Sequence, residues 1–308
     1  MRTTASVTSG PMPSPGIKVM VCVIRVRPSL IIIAGLDDPR AAALTSIAEE
    51  VLDGLLERPP DAIALIFLLR HFAATDRDDV REMLGQALTA ALERYADEPS
   101  VAGRAAWLSL FRDAASLSDD ERLPDAAGHL VASLRRDWRS KMSVADATHS
   151  IEACLHAADL DPDGAGALIT DTVDELERIV GHSYGPGEGI GDYDDHVRAA
   201  AALVTAYEVT GRLPYAMLAE ELMQASKRTP VPDRGFGTAC EAARVFCRLA
   251  GLHDDADYRA AAILAPNADY GADASRILAE LTPRARADGP AMYGLALGEL
   301  LALNSPRR

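Results

Sequence analysis

From Pro39 onward, apolar residues recur every three or four positions, the spacing of an amphipathic helix, and polar turns interrupt them at regular intervals. The pattern also repeats. "FLLRHFAATDRDDVREMLGQAL" from Phe67 parallels "SLFRDAASLSDDERLPDAAGHL" from Ser109, and "ACLHAADLDPDGAGALITDTV", "LVTAYEVTGRLPYAMLAEELM" and "VFCRLAGLHDDADYRAAAIL" follow suit. In each, an apolar helix ends, a turn of Asp, Gly, Ser or Thr follows, and an amphipathic helix begins. With Arg70, Arg112, His156, Ala206 and Arg248 as equivalent positions, the spacings are 42, 44, 50 and 42. One more step reaches "AMYGLALGELLAL".

The period predicts about six helical hairpins. A single hairpin cannot bury its apolar faces alone, so neighbours must stack. Six units can close into an (α/α)6 toroid or remain an open HEAT-like superhelix. Closure removes both exposed ends, so the expected fold is an all-α toroid. Local signals agree: Gly211 suits the left-handed end of one helix, and Pro214 suits the first turn of the next.

The first 36 residues break the pattern. They hold no Asp or Glu, and "IKVMVCVIRV" with "LIIIAG" is β-branched enough to predict one or two strands. Residues 1–16, rich in Thr, Ser, Pro and Gly, are expected to be disordered. Arg25, Arg27 and Pro28 interrupt the apolar run, which argues against a signal peptide or a transmembrane helix. Met12 and Met20 offer alternative starts. The expected division is a disordered or strand-like extension, residues 1–36, and a helical toroid domain, residues 37–308.

Composition narrows the partners. With 48% apolar and only 5% aromatic residues, the chain suits Ala- and Leu-rich helix packing. A net charge of −15 argues against nucleic acid and against anionic membranes as partners. None of Cys22, Cys154, Cys240 and Cys247 forms a C-x-x-C pair, so a reducing cytoplasm is the expected compartment.

The stretch "GHSYGPGEGIGDYDDH", Gly181 to His196, carries the densest candidate chemistry. It fits neither the dinucleotide nor the Walker fingerprint, because Ile190 replaces a required Gly and no Gly-Lys-Ser/Thr follows. Asp192, Asp194 and Asp195 at a helix start explain themselves as caps. If the loop instead overhangs a toroid mouth, Asp192, Asp195 and His196 are the catalytic candidates, and Tyr184, Glu188 and Tyr193 are ligand contacts. Trp107 and Asp113 in "AWLSLFRDA" are further candidates for a sugar-binding cavity. His149, Glu152 and His156 share about 60° of one helical face, a weak zinc set without H-E-x-x-H spacing; a solvated face is the plainer reading. No metal or cofactor is expected. "DLDPDG" from Asp159 opens like a calcium loop, but Thr170 stands where the bidentate Glu belongs, so an interhelix turn is expected.

"GDYDDHVRAAAALVTAYEVTGRLPYAMLAEELMQ" and "TACEAARVFCRLAGLHDDADYRAAAILAP" resemble the six-hairpin toroid of bacterial thioredoxin-domain proteins, which is similar in fold to N-acylglucosamine 2-epimerase. Tyr207, Glu208, Thr210 and Gly211 reproduce that family's Tyr-Glu-x-Thr-Gly helix end. The resemblance spans about residues 59–303 and implies the toroid. The family's thioredoxin-like domain has no counterpart here, nor has its Gly-rich loop after the early hairpin, where "ERYADEPSVAG" stands. The histidine acid and base of its sugar-handling branch find no matching residues.

Without a complete catalytic constellation, the expected function is a non-catalytic or degenerate toroid that binds a small molecule, sugar or protein partner. The alternative is a carbohydrate-active enzyme, an epimerase, isomerase or glycosidase, with its pocket at the toroid mouth.

Overall fold

The computed structural model describes residues 38–55, 61–73, 77–138, 142–230, 234–262 and 267–305. The strand-like extension, the alternative starts and Cys22 lie outside them. Outer helices α1 (Pro39–Leu55), α3 (Asp78–Arg94), α5 (Arg122–Asp137), α7 (Ala165–Ser183), α9 (Leu213–Ser226) and α12 (Tyr270–Leu281) alternate with inner ones. The inner helices are α2 (Ala62–Phe72), α4 (Val101–Ala115), α6 (Val144–Ala157), α8 (Tyr193–Thr210), α10 (Phe236–His253) and α14 (Pro290–Leu303). Short helices α11 (Ala256–Ala261) and α13 (Ala285–Asp288) sit in the last two connections.

Each inner helix packs against the next, from α2 through α4, α6, α8 and α10 to α14, and α14 packs back on α2. The ring is closed. The chain is therefore an (α/α)6 toroid, and the open superhelix is excluded.

Sequence decides which layer a helix joins. The segments "AIALIFLLRHF" in α2 and "PAMYGLALGELLAL" in α14 are apolar nearly all round, and helices of that kind must be surrounded by protein. The outer α5 and α7 carry one apolar stripe, with charges on the opposite side. In α8 the fully buried run Ala199–Ala202 offers only methyl groups, which lets α6 and α9 approach closely. At the closing seam, a Cβ on Gly294 would stand 2.5 Å from Phe67 Cζ, so the ring shuts there only over glycine.

Caps fix where the inner helices start. Asp61, Ser100 and Ser143 accept from the backbone N–H groups of Ala64, Gly103 and Asp146 at the heads of α2, α4 and α6. Gly211 ends α8 at φ 69°, and Pro214 lies in the first turn of α9. Among the described residues, no helix is long and apolar enough to cross a membrane.

Candidate functional site

The inner helices surround a cavity of about 110 Å³, room for several waters or one small polar ligand. Its wall mixes Ile63, Ile66, Met292 and Leu295 with four arginines, two histidines and three carboxylates. The charged groups, several of them toward the C-terminal ends of the inner helices, form a continuous belt.

Arg70 of α2 donates to Asp113 of α4 at 2.8 Å and lies 3.6 Å from Glu299 of α14. Glu299 accepts from Arg244 of α10 at 2.8 Å, and Arg244 also holds Glu241 at 2.8 Å. One turn on, Arg248 donates to Thr205 and Glu208 of α8, each at 2.7 Å. It reaches past α8 to Glu152 of α6 at 3.0 Å. Arg112 of α4 completes the circuit by bonding Asp159, in the turn after α6, at 2.7 Å. All six inner helices are joined.

The belt sets the charge states. Burial alone would raise the Asp113 carboxyl, but the Arg70 charge and hydrogen bond, with Arg112 behind them, hold it below its ordinary value. Burial is likewise outweighed at Glu152 by the His156 hydrogen bond and the Arg248 charge. At Glu241 the charges of Arg244 and Arg198 do the same. His149 goes the other way: burial, then the Arg198 charge, lower its pKa to about 4, so the ring is neutral at pH 7. Cys240 also lines the cavity, its thiol raised by burial to about 12 and therefore inert.

At the other end of α8 stands the glycine-rich loop. Tyr184–Gly185 (β1) and Gly189–Ile190 (β2) pair as a tight antiparallel hairpin, with Gly187 and Gly189 at φ 80° and 81°. His196 is built into it. Its Nδ1–H donates to the Asp192 carbonyl at 2.5 Å, and its Nε2 accepts from the Ile190 N–H at 3.3 Å. Both ring nitrogens are engaged, which leaves none for proton transfer. Asp192 caps α8 by accepting from the N–H groups of Asp194 and Asp195, at 3.0 and 3.1 Å.

Asp195 differs from these two. Its carboxylate closes the capping box on the Asp192 N–H at 3.3 Å and accepts from the Ala145 N–H of α6 at 2.9 Å. Burial, more than these bonds oppose, raises its pKa. Asp194 accepts from the Thr238 hydroxyl of α10 at 2.7 Å and lies 3.9 Å from Arg198. Asp194 and Asp195 precede the cavity-lining Arg198 by four and three residues, so at 100° per residue both lie within about 60° of its direction. Neither lines the cavity itself; they lie in the first turn of α8, one turn before Arg198.

The remaining candidates divide. Tyr184 donates to Glu221 at 2.6 Å, and Glu188 is exposed at the hairpin tip. Tyr193 is buried beneath the Arg234 guanidinium, 5.4 Å from its ring centre. Trp107 does not line the cavity; it is buried in the wall, stacked on Phe111 at 6.1 Å, because its position on α4 faces the neighbouring helices. Asp113, by contrast, faces the cavity. His149, Glu152 and His156 correct the expectation of a solvated face: all three line the cavity, where Arg248 neutralises the carboxylate. Among the described residues, no cluster has the makings of a metal site. In the would-be calcium loop, Asp159 pairs with Arg112 and Asp161 caps Gly164, as a turn does.

The residues not anticipated are Arg198, Arg244, Glu241, Glu299 and Asp194. A signal for the belt did exist: Arg70, Arg112, His156 and Arg248 are polar residues at equivalent points of apolar helices.

No family model matches the chain, and no curated protein matches it in sequence. Solved structures do match it. One is an inactive variant of the α-1,6-mannanase GH76A of Salegentibacter sp. HEL1_6, with two consecutive aspartates replaced by alanine, in complex with α-1,6-mannotetrose. Its TM-score is 0.58 at 12% identity, over 84% of this chain and 99% of that one. A second variant, with asparagines at the same two positions and α-1,6-mannotriose bound, gives 0.56 at 13% identity over the same shares. The likeness establishes the toroid. It carries no link to thioredoxin-domain proteins. The expectation of a non-catalytic scaffold is corrected here: the toroids this chain is similar to are of an enzyme holding oligosaccharides.

Proposed function

We propose that the chain is a glycoside hydrolase that cleaves bonds of an α-mannoside-type saccharide at the rim of the toroid. The observation that carries this reading is the placement of Asp194 and Asp195 at the head of an inner helix, one turn before the cavity-lining Arg198. The similar mannanase variants, described as inactive, lack two consecutive aspartates. Of the consecutive aspartate pairs among the described residues here, Asp78–Asp79 and Asp119–Asp120 begin or precede outer helices, and Asp254–Asp255 follows α10. Asp194–Asp195 alone opens an inner helix.

The two carboxylates have the different environments that glycosidic cleavage requires. Asp195, with its raised pKa, suits the general acid that protonates the leaving oxygen. Asp194, held by Thr238 and Arg198, suits the carboxylate that attacks or activates water. Adjacent helix positions diverge by about 100°, which lets the pair address opposite sides of one bond. The buried, unpaired Cys154, Cys240 and Cys247 support a reducing compartment, the cytoplasm.

The test is hydrolysis of α-1,6-mannotetraose, followed by chromatography, with the native chain and with Asp194→Asn and Asp195→Asn. Each substitution is expected to lower turnover by ~10²–10⁴-fold while the melting temperature is kept. Native-level cleavage by both variants would remove the pair from the chemistry.

A further inference from the structure

On the side away from the head of α8, the cavity is stitched across by ion pairs between the inner helices. Lining residues on single helices, Ile63 to Arg70 and His149 to His156, span seven residues, a depth of about 10 Å at 1.5 Å per residue. The belt makes up the far part of that depth, where Arg70, Asp113 and Glu152 line the cavity. Asp113, Glu152, Glu299 and Arg248 in it are only slightly accessible, at 4%, 12%, 17% and 18%, while Asp159 on its outer side is exposed. Arg248 crosses from α10 past α8 to α6, so it spans part of the bore as well as the wall. A saccharide chain has no passage through this layer.

The wall above the belt carries no Phe, Tyr or Trp on which a run of sugar rings could stack. It does carry two polar side chains that make no hydrogen bond within the protein among the described residues. Arg198 has contacts of 3.7 Å to Glu241 and 3.9 Å to Asp194, both beyond hydrogen-bonding range. His149 lies close enough for the Arg198 charge to act on its ring, and neither of its nitrogens is engaged. The other lining guanidiniums, Arg70, Arg112 and Arg244, are each bonded to a carboxylate. Arg198 is thus ion-paired but not hydrogen-bonded, and His149 has both ring nitrogens unengaged, so each keeps hydrogen-bonding capacity that a ligand can complete.

We infer that the cavity is a blind pocket for one terminal sugar residue, gripped by Arg198 and His149, so that the enzyme removes single residues from the non-reducing end. This rests on the hydrolase reading above. The residue that develops positive charge at its anomeric carbon is then the enclosed one, where nearby carboxylates act through little water. In the step, Asp195 gives its proton to the oxygen of the departing shortened chain. A water hydroxyl bonds to the anomeric carbon of the enclosed residue, and the water's other proton returns to the carboxylate pair. One bond to oxygen breaks and one forms.

The experiment uses α-1,6-mannotetraose labelled with 2-aminobenzamide at its reducing end, sampled from the earliest turnover. The expected products are labelled trisaccharide first, then labelled disaccharide, with free mannose as the only unlabelled sugar. Labelled mono- and disaccharide together with unlabelled di- and trisaccharide at the first time point would overturn the blind pocket while leaving the hydrolase standing. No product at all from the native chain would overturn the hydrolase reading, and this inference with it. Arg198→Gln and His149→Asn are each expected to raise KM about tenfold, the loss of one hydrogen bond to a charged or buried polar group, with a smaller change in kcat. An unchanged KM in both would remove them from the pocket's grip.

Discussion

At the floor of the cavity Asp113, Glu152 and Glu241 each face a guanidinium, whereas at the rim Asp192 and Asp195 face backbone amides. Asp192 is exposed, but Asp195 and the floor carboxylates are partly or wholly buried, and all keep their hydrogen bonds. The consequence for proton affinity is opposite. A full positive charge alongside overrides burial and fixes the floor carboxylates as anions. Amide dipoles do not override burial at Asp195, which is left with a raised affinity for a proton. The carboxyl group thus becomes a fixed anion at one end of the bore and a group of raised proton affinity at the other, and the partner decides which.

The largest expected effect separates the ends by function. Asp195→Asn keeps an oxygen able to accept from the Ala145 N–H, so the fold should persist while cleavage falls by ~10²–10⁴-fold. Parallel activity and melting measurements check this, and a large loss of stability would make Asp195 architectural like the floor. Next comes the belt. Arg248→Met leaves Glu152 and Glu208 buried without their cation, at an expected cost of ~3–5 kcal/mol in urea unfolding. Adding Glu152→Gln should recover part of that loss, because the stranded charge is then gone.

A smaller effect belongs to the hairpin. Gly189 holds φ 81°, and a Cβ there would lie 2.1 Å from His196 Nε2. Gly189→Ala should therefore cost ~1–3 kcal/mol through strain and the displaced imidazole.

The smallest effect is a pH dependence. His149 binds its proton less readily folded than unfolded, so the unfolded state gains protons first as pH falls below 6.5. Its contribution is full above 6.5 and declines until pH about 4. The floor carboxylates, held below ordinary values, contribute above those values and lose their contribution only as pH falls through their lower folded ones. His149→Gln should flatten the stability curve between pH 6.5 and 4 and leave the more acidic limb intact. Urea midpoints across that range test it.

The ring was legible because its cause is local. Apolar spacing, the turn after Leu69–Arg70 and its counterparts, and Gly211 each act over a few residues, and six repeats of a hairpin leave few ways to pack. The site was less legible because its causes are not local. Arg248 and Glu152 stand 96 positions apart and meet only once the ring has formed. Helix rotation decided the rest. Neighbouring positions on a helix point about 100° apart, so Asp113 faces the bore while Trp107 does not, and no one-dimensional pattern says which. Asp192 and His196 drew attention through their chemistry, yet the hairpin uses the capping oxygen of one and both nitrogens of the other.

The seam between α2 and α14 has a consequence for assembly. Phe67 and Gly294 lie about 230 positions apart in the chain, so every earlier hairpin can stack as it emerges while this contact must wait for the last helix. Until then the apolar flanks of the first and final hairpins face outward, each complementary to the other. In a crowded solution of nascent chains, the first hairpin of one molecule can dock on the last of another as readily as on its own. Two arcs joined that way would close a larger wheel, or none, and bulk added at position 294 would hold the gap open long enough to favour it.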